Sequence, residues 1–219
     1  MADLNRRPAH RPTGPPAIPS GAGSLGSVTC IVLVRHGQST WNLEHRLQGQ
    51  RMDVPLSPLG RDQATAAAST VAGLVDRSTP VFSSDQDRAL QTAAPIAAAL
   101  ASTIHPDPRL REQDLGRMEG LTPDQLTPEP IPEGVDIADV RWAGGESLAD
   151  VAARSRSFLA DLAVSENGHA PDQAVIVGHG DALRVLIALL DGRSHRECDF
   201  NLVLGNGDVI TRSWPGGSA

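Results

Sequence analysis

Two histidines in this chain stand directly after apolar runs and directly before glycine. Cys30-Ile-Val-Leu-Val34 leads into Arg35-His36-Gly37-Gln38-Ser39-Thr40, and Ala174-Val-Ile-Val177 leads into Gly178-His179-Gly180-Asp181. A guanidinium, Arg88, follows a third short apolar run, Val81-Phe-Ser83. Imidazole is neutral near pH 7 and can attack phosphorus in line, while a second imidazole can donate to the transferring oxygens. Guanidinium forks and helix N-termini suit phosphoryl oxygens through bidentate bonds and the helix dipole. Each residue alone has a plain explanation, as a polar strand end or a solvated helix position. Their joint placement after three strands points to phosphoryl chemistry in one crevice.

The elements that must position them are legible from periodicity. The two histidine-bearing runs read as short strands buried on both faces, and in open α/β sheets ligands bind at the carboxyl edge of such strands. Gly37 leaves room for backbone N–H groups to approach an anion. Ser39 or Thr40 can cap a following helix, although 41–53 reads as a polar loop. Ser57-Pro58 opens a helix running to about Val75, with Leu59, Ala66, Val71, Leu74 and Val75 expected on its apolar side. Ser84-Asp85 can cap an Ala-rich helix from about Arg88 to Ala101, and Thr103–His105 is a weak strand. Ser147 precedes an amphipathic helix whose inner side is Leu148, Val151, Ala152, Phe158, Leu159 and Leu162. Ala182–Leu190 is an apolar helix, and Leu202–Leu204 and Val209–Thr211 read as closing strands. Strands alternating with helices predict an α/β fold: three layers, α/β/α, around a mostly parallel sheet. Residues 113–145, rich in Pro and Gly, are expected to form a small irregular lid. Residues 1–27 read as a disordered leader, and 28–216 as a single catalytic domain.

Composition excludes several classes. The 219 residues suit one domain, and all nineteen basic residues are Arg, so lysine nucleophiles, Schiff bases and P-loop lysines are ruled out. A formal charge of −7 argues against nucleic acid or an anionic membrane as partner, while leaving room for a local Arg cluster around a small anion. Cys30 and Cys198 do not suggest a disulfide framework. No apolar run is long enough to span a bilayer, and no secretory h-region opens the chain, so the cytoplasm is the default location. A homodimer is compatible with all of this. No His-Glu-x-x-His and no carboxylate cluster at ligand spacing calls for a metal or other cofactor.

With these residues in view, the chain resembles the histidine phosphatase superfamily, whose best-known branch is cofactor-dependent phosphoglycerate mutase. The resemblance is carried by Leu33-Val-Arg-His-Gly-Gln-Ser-Thr-Trp-Asn42, Ser83-Ser-Asp-Gln-Asp-Arg-Ala-Leu-Gln-Thr92, Arg109-Leu-Arg-Glu-Gln-Asp-Leu-Gly116 with Glu119-Gly120, and Val177-Gly-His-Gly180. It implies a phosphoglycerate mutase-like fold and a phosphohistidine intermediate. It assigns the nucleophile to His36, phosphate contacts to Arg35, Arg88, His179 and Gly180, and the proton donor to Glu112. Asn42 matches a position that often contacts the phosphoryl group. His179 is expected to be protonated beside a phosphate dianion. Two departures stand out. Met118 replaces a common aromatic, a change of packing, and Asp181 follows His-Gly, where it is expected as an N-cap. Spacing along the chain leaves Asp114, two positions from Glu112, open as an alternative acid.

Three functions compete: a phosphomonoester phosphatase, a mutase, and a non-catalytic phospho-ligand-binding module. The family's mutases carry extra Lys and Arg on a long insertion after the proton donor. Here the interval from Glu112 to Gly145 holds Arg117 and Arg141 against Asp114, Glu119, Asp124, Glu129, Glu133, Asp136 and Asp139. That field repels a polyanion and favours a phosphatase acting on a small phosphomonoester. The intact set of His36, Arg35, Arg88, Glu112 and His179 favours an enzyme over a binding module. Deleting 1–27 should leave turnover unchanged, checked by comparing full-length and Val28-start proteins; loss of folding or rate would mean the leader packs on the domain.

Overall fold

The computed structural model describes residues 29–164 and 170–215; the expected leader over 1–27, Val28 and Gly216 lie outside them. Strand β1 (Thr29–Arg35) sits near the middle of a five-stranded sheet with β2 (Val81–Ser83), β3 (Ile104–Pro106), β4 (Gln173–Gly178) and β5 (Val209–Trp214). The order is β3-β2-β4-β1-β5, with β5 alone antiparallel to its neighbour. Helices α1 (Thr40–Leu43), α2 (Pro58–Ala72), α3 (Asp87–Leu100), α4 (Leu148–Ala163) and α5 (Gly180–Leu190) complete the described regular structure, with short 3-10 turns between them. The expected mostly parallel α/β/α arrangement is the observed one.

Side chains alternate across a strand, so each central strand feeds two cores. Val32, Val34, Val175 and Val177 pack on α2 and α3 through Ala67, Val71, Ala93 and Ile96. Ile31, Leu33, Ala174 and Ile176 pack on α4 and α5 through Phe158, Leu162, Leu183 and Ile187. Burial on both faces explains why β1 and β4 are runs of Val, Ile, Leu and Ala rather than alternating patterns. Among the described residues no helix is long and apolar enough to cross a membrane.

Several local expectations change. On α2 the inner face is Gly60, Ala64, Ala67, Ala68 and Val71, while Leu59 and Leu74 are 51% and 45% exposed and Ala66 is exposed too. Small residues face inward because α2 lies close against α3 and against the turn after β1; Leu59 in that position would push them apart. Gly37 itself serves this approach. A Cβ there would lie 2.3 Å from the Gly60 carbonyl oxygen, and one on Gly60 would lie 2.0 Å from the Gln38 carbonyl oxygen. The Gly37 N–H, expected to face an anion, instead donates to Thr92 Oγ1 at 3.1 Å.

Ser39 caps α1 and Ser57 caps α2, the latter accepting from the Gly60 N–H at 3.0 Å. Ser147 caps α4 through a capping box with Asp150. Helix α3 starts at Asp87, close to the expected Arg88, but Gln86 rather than Ser84 or Asp85 stands at its N-cap position. Leu202–Leu204 is not a strand, because its carbonyls are taken by arginine side chains: Leu204 O accepts from Arg35, and Leu202 O accepts from Arg184 Nε at 3.3 Å. Segment 113–145 holds 3-10 turns at Gly116–Met118, Pro123–Gln125, Ile137–Asp139 and Trp142–Gly144, and no longer element.

The Gly37–Gly60 approach gives a direct test. Gly60→Ala should destabilise the protein by about 1–3 kcal/mol, since backbone on both sides must move. Gly73→Ala, whose nearest neighbour would be an ordinary 3.5 Å away, should not. Denaturant midpoints of the two variants decide this.

Candidate active site

Parallel pairing of β1 with β4 sets Arg35 opposite Gly178. The next residue on each strand is a histidine, and the His36 and His179 rings lie with centroids 5.1 Å apart at 60°. The turn after β1 is tied down on both sides: the His36 N–H donates to Gly178 O at 3.0 Å, and the His36 carbonyl accepts from the Gly207 N–H at 3.2 Å. Asn206 Nδ2 adds a bond to the same carbonyl at 3.1 Å. His36 Nδ1 lies 2.7 Å from the Gly37 carbonyl oxygen. A carbonyl can only accept, so Nδ1 carries the proton and Nε2 keeps its lone pair.

Arg88, in the first turn of α3, is fully buried. It donates to Arg51 O at 2.8 Å and to Gly49 O at 2.9 Å, leaving Nε without a protein partner. Arg35 Nε and both ring nitrogens of His179 are likewise buried without a partner among the described residues. Leaving a buried donor unpaired costs about 1–3 kcal/mol, and this cluster of donors in one place is suited to meet the oxygens of a bound anion.

Glu112 reaches the same place from the segment after β3. Its Oε1 accepts from the Gln113 N–H at 2.9 Å and the Ala182 N–H at 3.0 Å, and its Oε2 accepts from the Asp181 N–H at 3.3 Å. Two good acceptances on Oε1 and one long one on Oε2 leave Oε2 as the oxygen able to carry a proton. A cavity of about 170 Å³ is lined by Arg35, His36, Asn42, Arg88, Glu112 and Asp181, with Arg46, Leu47, Gln48, Gly49 and Leu115 forming its remaining wall.

Each residue expected at the site has a definite position. Arg35, His36, Asn42, Arg88 and Glu112 line the one cavity. His179 packs beside His36 at the N-cap position of α5, and Gly180 begins that helix. A Cβ on Gly180 would fall 3.7 Å from Glu112 Oε2 and 3.8 Å from Arg35 Nε, so its lack of a side chain keeps these groups open to each other. Asn42 uses its carbonyl oxygen to accept from the Ser39 N–H at 2.9 Å. Asp114 is not among the lining residues; its Oδ1 accepts from the Gly116 N–H at 2.7 Å and so holds a turn. Asp181 is not an N-cap, because His179 holds that position two residues earlier and Asp181 already lies in the first turn of α5. Its carboxylate pairs with Arg184 at 2.8 Å.

The electrostatics separate the groups. Burial, then Arg88, pushes His36 well below the usual imidazole value, outweighing the Gly37 bond that opposes them. Burial, Arg88 and His36 do the same to His179, so the protein's own groups keep it neutral and only an added anion could reverse this. Glu112 moves the other way: burial and the neighbouring Asp181 raise it, against the amide bonds and Arg88. Burial lowers Arg88 to about 10, still a cation at neutral pH, and lowers Arg35 as well. A neutral imidazole, two cations and a carboxyl group whose protonated form is favoured by its burial therefore share one pocket.

Arg46, Gln48 and Leu115 are pocket residues that sequence reasoning did not single out. Arg46, four positions beyond Asn42, was the one with a charge to betray it. Arg154 was missed as well: its guanidinium donates to the carbonyls of Arg109 at 2.6 Å and Glu112 at 3.0 Å and pairs with Glu146 at 3.0 Å.

Residues 31–217 match the model of the histidine phosphatase superfamily (branch 1). A glucosyl-3-phosphoglycerate phosphatase of Mycobacterium tuberculosis is 40% identical over 172 residues, covering 73% of this chain and 74% of that one. A protein of an Enterobacter species named "Probable phosphoglycerate mutase GpmB" is 38% identical over 168 residues, covering 74% of each. The solved structure of mycobacterial glucosyl-3-phosphoglycerate phosphatase complexed with VO3 superposes with a TM-score of 0.71 at 34% identity, covering 84% of this chain and 90% of that one. The chain belongs to the histidine phosphatase superfamily, branch 1.

Proposed function

We propose that the chain hydrolyses a small phosphomonoester, with His36 as nucleophile and Glu112 as proton donor. The observation that carries this reading is the set of buried, unpartnered donors, Arg35 Nε, Arg88 Nε and the His179 ring, beside a histidine whose Nε2 is free. In the first step His36 Nε2 forms a bond to phosphorus, the ester P–O bond breaks, and the Glu112 proton passes to the leaving alkoxide. Arg35 and Arg88 offset charge on the equatorial oxygens, and His179, which takes up a proton from solvent as the phosphate dianion binds beside it, donates to one of them. In the second step Glu112 accepts a proton from water, whose oxygen displaces His36 from phosphorus. Phosphate leaves and both groups regain their starting states.

Hydrolysis rather than mutase transfer is supported by the charges beyond the pocket. Arg117 pairs with Glu129 at 3.6 Å and Arg141 with Asp150 at 2.6 Å, so both cations of segment 113–145 have carboxylate partners. Neither is spare to hold a bisphosphorylated intermediate while it turns over. The names carried by relatives about 40% identical make glucosyl-3-phosphoglycerate the first substrate to try. Phosphate release from it should exceed that from 3-phosphoglycerate, nucleotides and phosphopeptides; equal release from all would remove this choice of substrate.

His36→Ala should abolish turnover, and wild-type protein quenched during turnover should carry acid-labile, base-stable phosphate. Because Arg and His supply the positive charge, chelator should leave the rate of purified protein unchanged. Turnover surviving His36→Ala would end the nucleophile assignment, and a chelator loss restored by one divalent ion would end the metal-independent reading.

The acid is separable from its neighbour by leaving group. Glu112→Gln should slow phosphorylation by alkyl esters by about 10²–10⁴ and by aryl esters much less, whereas Asp114→Asn should keep the wild-type pattern. The sign with pH follows from the opposed shifts. A lowered His36 is already neutral in mild acid, and a raised Glu112 holds its proton further up the scale before losing it. kcat/KM on an alkyl ester should therefore fall as pH rises through the Glu112 titration, and that limb should vanish in Glu112→Gln assayed on the same substrate. A limb unchanged in that variant would move the acid elsewhere, with Asp181 next.

A further inference from the structure

We infer that Gln86 is a positioning residue that sets the proton donor and the loop over the phosphate site in register with each other. This rests on the reading of Glu112 as the acid. Gln86 is fully buried, stands at the N-cap position of α3, and makes no side-chain cap bond to its own helix. Its carboxamide is turned elsewhere. Oε1 accepts from the Glu112 N–H at 3.0 Å, while Nε2 donates to Gly49 O at 3.1 Å and to Arg51 O at 2.9 Å. Those two carbonyls are the same ones that Arg88 holds at 2.9 and 2.8 Å.

One side chain thus spans three segments: the start of α3 that carries Arg88, the loop through Gly49 that lines the cavity, and the backbone of Glu112. No other residue of the chain supplies an acceptor to the Glu112 N–H among the described hydrogen bonds, whereas the Glu112 carbonyl is shared between Gln50 Nε2 at 3.2 Å and Arg154 at 3.0 Å. An amide suits the task because it accepts on one side and donates on the other; a leucine of similar size would leave the buried Glu112 N–H without a partner and the two carbonyls with Arg88 alone. A displacement of about 1 Å at a reacting group can cost roughly 10²-fold in rate. Loss of Gln86 should accordingly act through the acid more than through the phosphate site.

The test is single-turnover phosphorylation of Gln86→Leu by an alkyl phosphate and by p-nitrophenyl phosphate, beside wild type and Glu112→Gln. Gln86→Asn, too short to reach Glu112, replaces the leucine variant if that one does not fold. The alkyl ester should slow about tenfold or more beyond the aryl ester. Inhibition by inorganic phosphate, which reads Arg35, Arg88 and His179, should stay within about threefold of wild type. Gln86→Glu, which keeps an acceptor for the Glu112 N–H but sets its other oxygen against the Gly49 and Arg51 carbonyls, should recover the alkyl rate only in part. Equal slowing of both esters, weakened phosphate inhibition without leaving-group bias, or no change at all would each overturn the inference. If Glu112→Gln itself shows no leaving-group bias, the acid assignment falls and this inference falls with it. A bias in Glu112→Gln that is missing in the Gln86 variants overturns the inference alone.

Discussion

The register of β1 on β4 is the constraint on which the site depends. Because the strands are parallel and pair Arg35 with Gly178, both chains leave the sheet at the same level and on the same edge. Two histidines that are 143 positions apart in sequence become ring neighbours through this pairing alone. A slip of one residue would send one imidazole to the opposite face of the sheet. The slip is prevented by the two cores, since Val32, Val34, Val175 and Val177 would exchange faces with Ile31, Leu33, Ala174 and Ile176. Hydrophobic packing across the sheet thereby sets the geometry of a polar site that contains almost none of it.

The same burial that fixes the site also charges it unevenly. Removing His36 and His179 from water next to two guanidinium groups favours their neutral forms, and removing Glu112 from water favours its protonated form. Arg35 and Arg88 stay charged despite the same penalty, because an arginine starts too high to be neutralised. The outcome is a pocket with positive charge and few competing anions, suited to a phosphoryl group and held ready before one arrives. Backbone carbonyls do much of the restraining, with Gly49 O and Arg51 O each accepting from both Arg88 and Gln86.

Sequence alone was enough wherever a feature depends on neighbours within a turn or two. The buried strands ending in histidine, the serine cap at Ser57, and the inner side of α4 all follow from local rules of periodicity and capping, and the α/β class follows from their alternation. The pairing of histidines with Arg88 was also legible, since strand ends share an edge in such sheets. Tertiary structure decided what depends on which element approaches which. Gly37 is small to admit Gly60 rather than an anion, and α2 turns its alanines inward because α3 lies close. Leu202–Leu204 gives its carbonyls to arginines instead of a ladder. Glu112 and Asp114 share a face by spacing, yet one lines the cavity and the other closes a turn on Gly116. Gln86 carries no charge and sits in a motif beside Arg88, so only the positions of Gly49, Arg51 and Glu112, each distant in sequence, give its two-sided amide something to join.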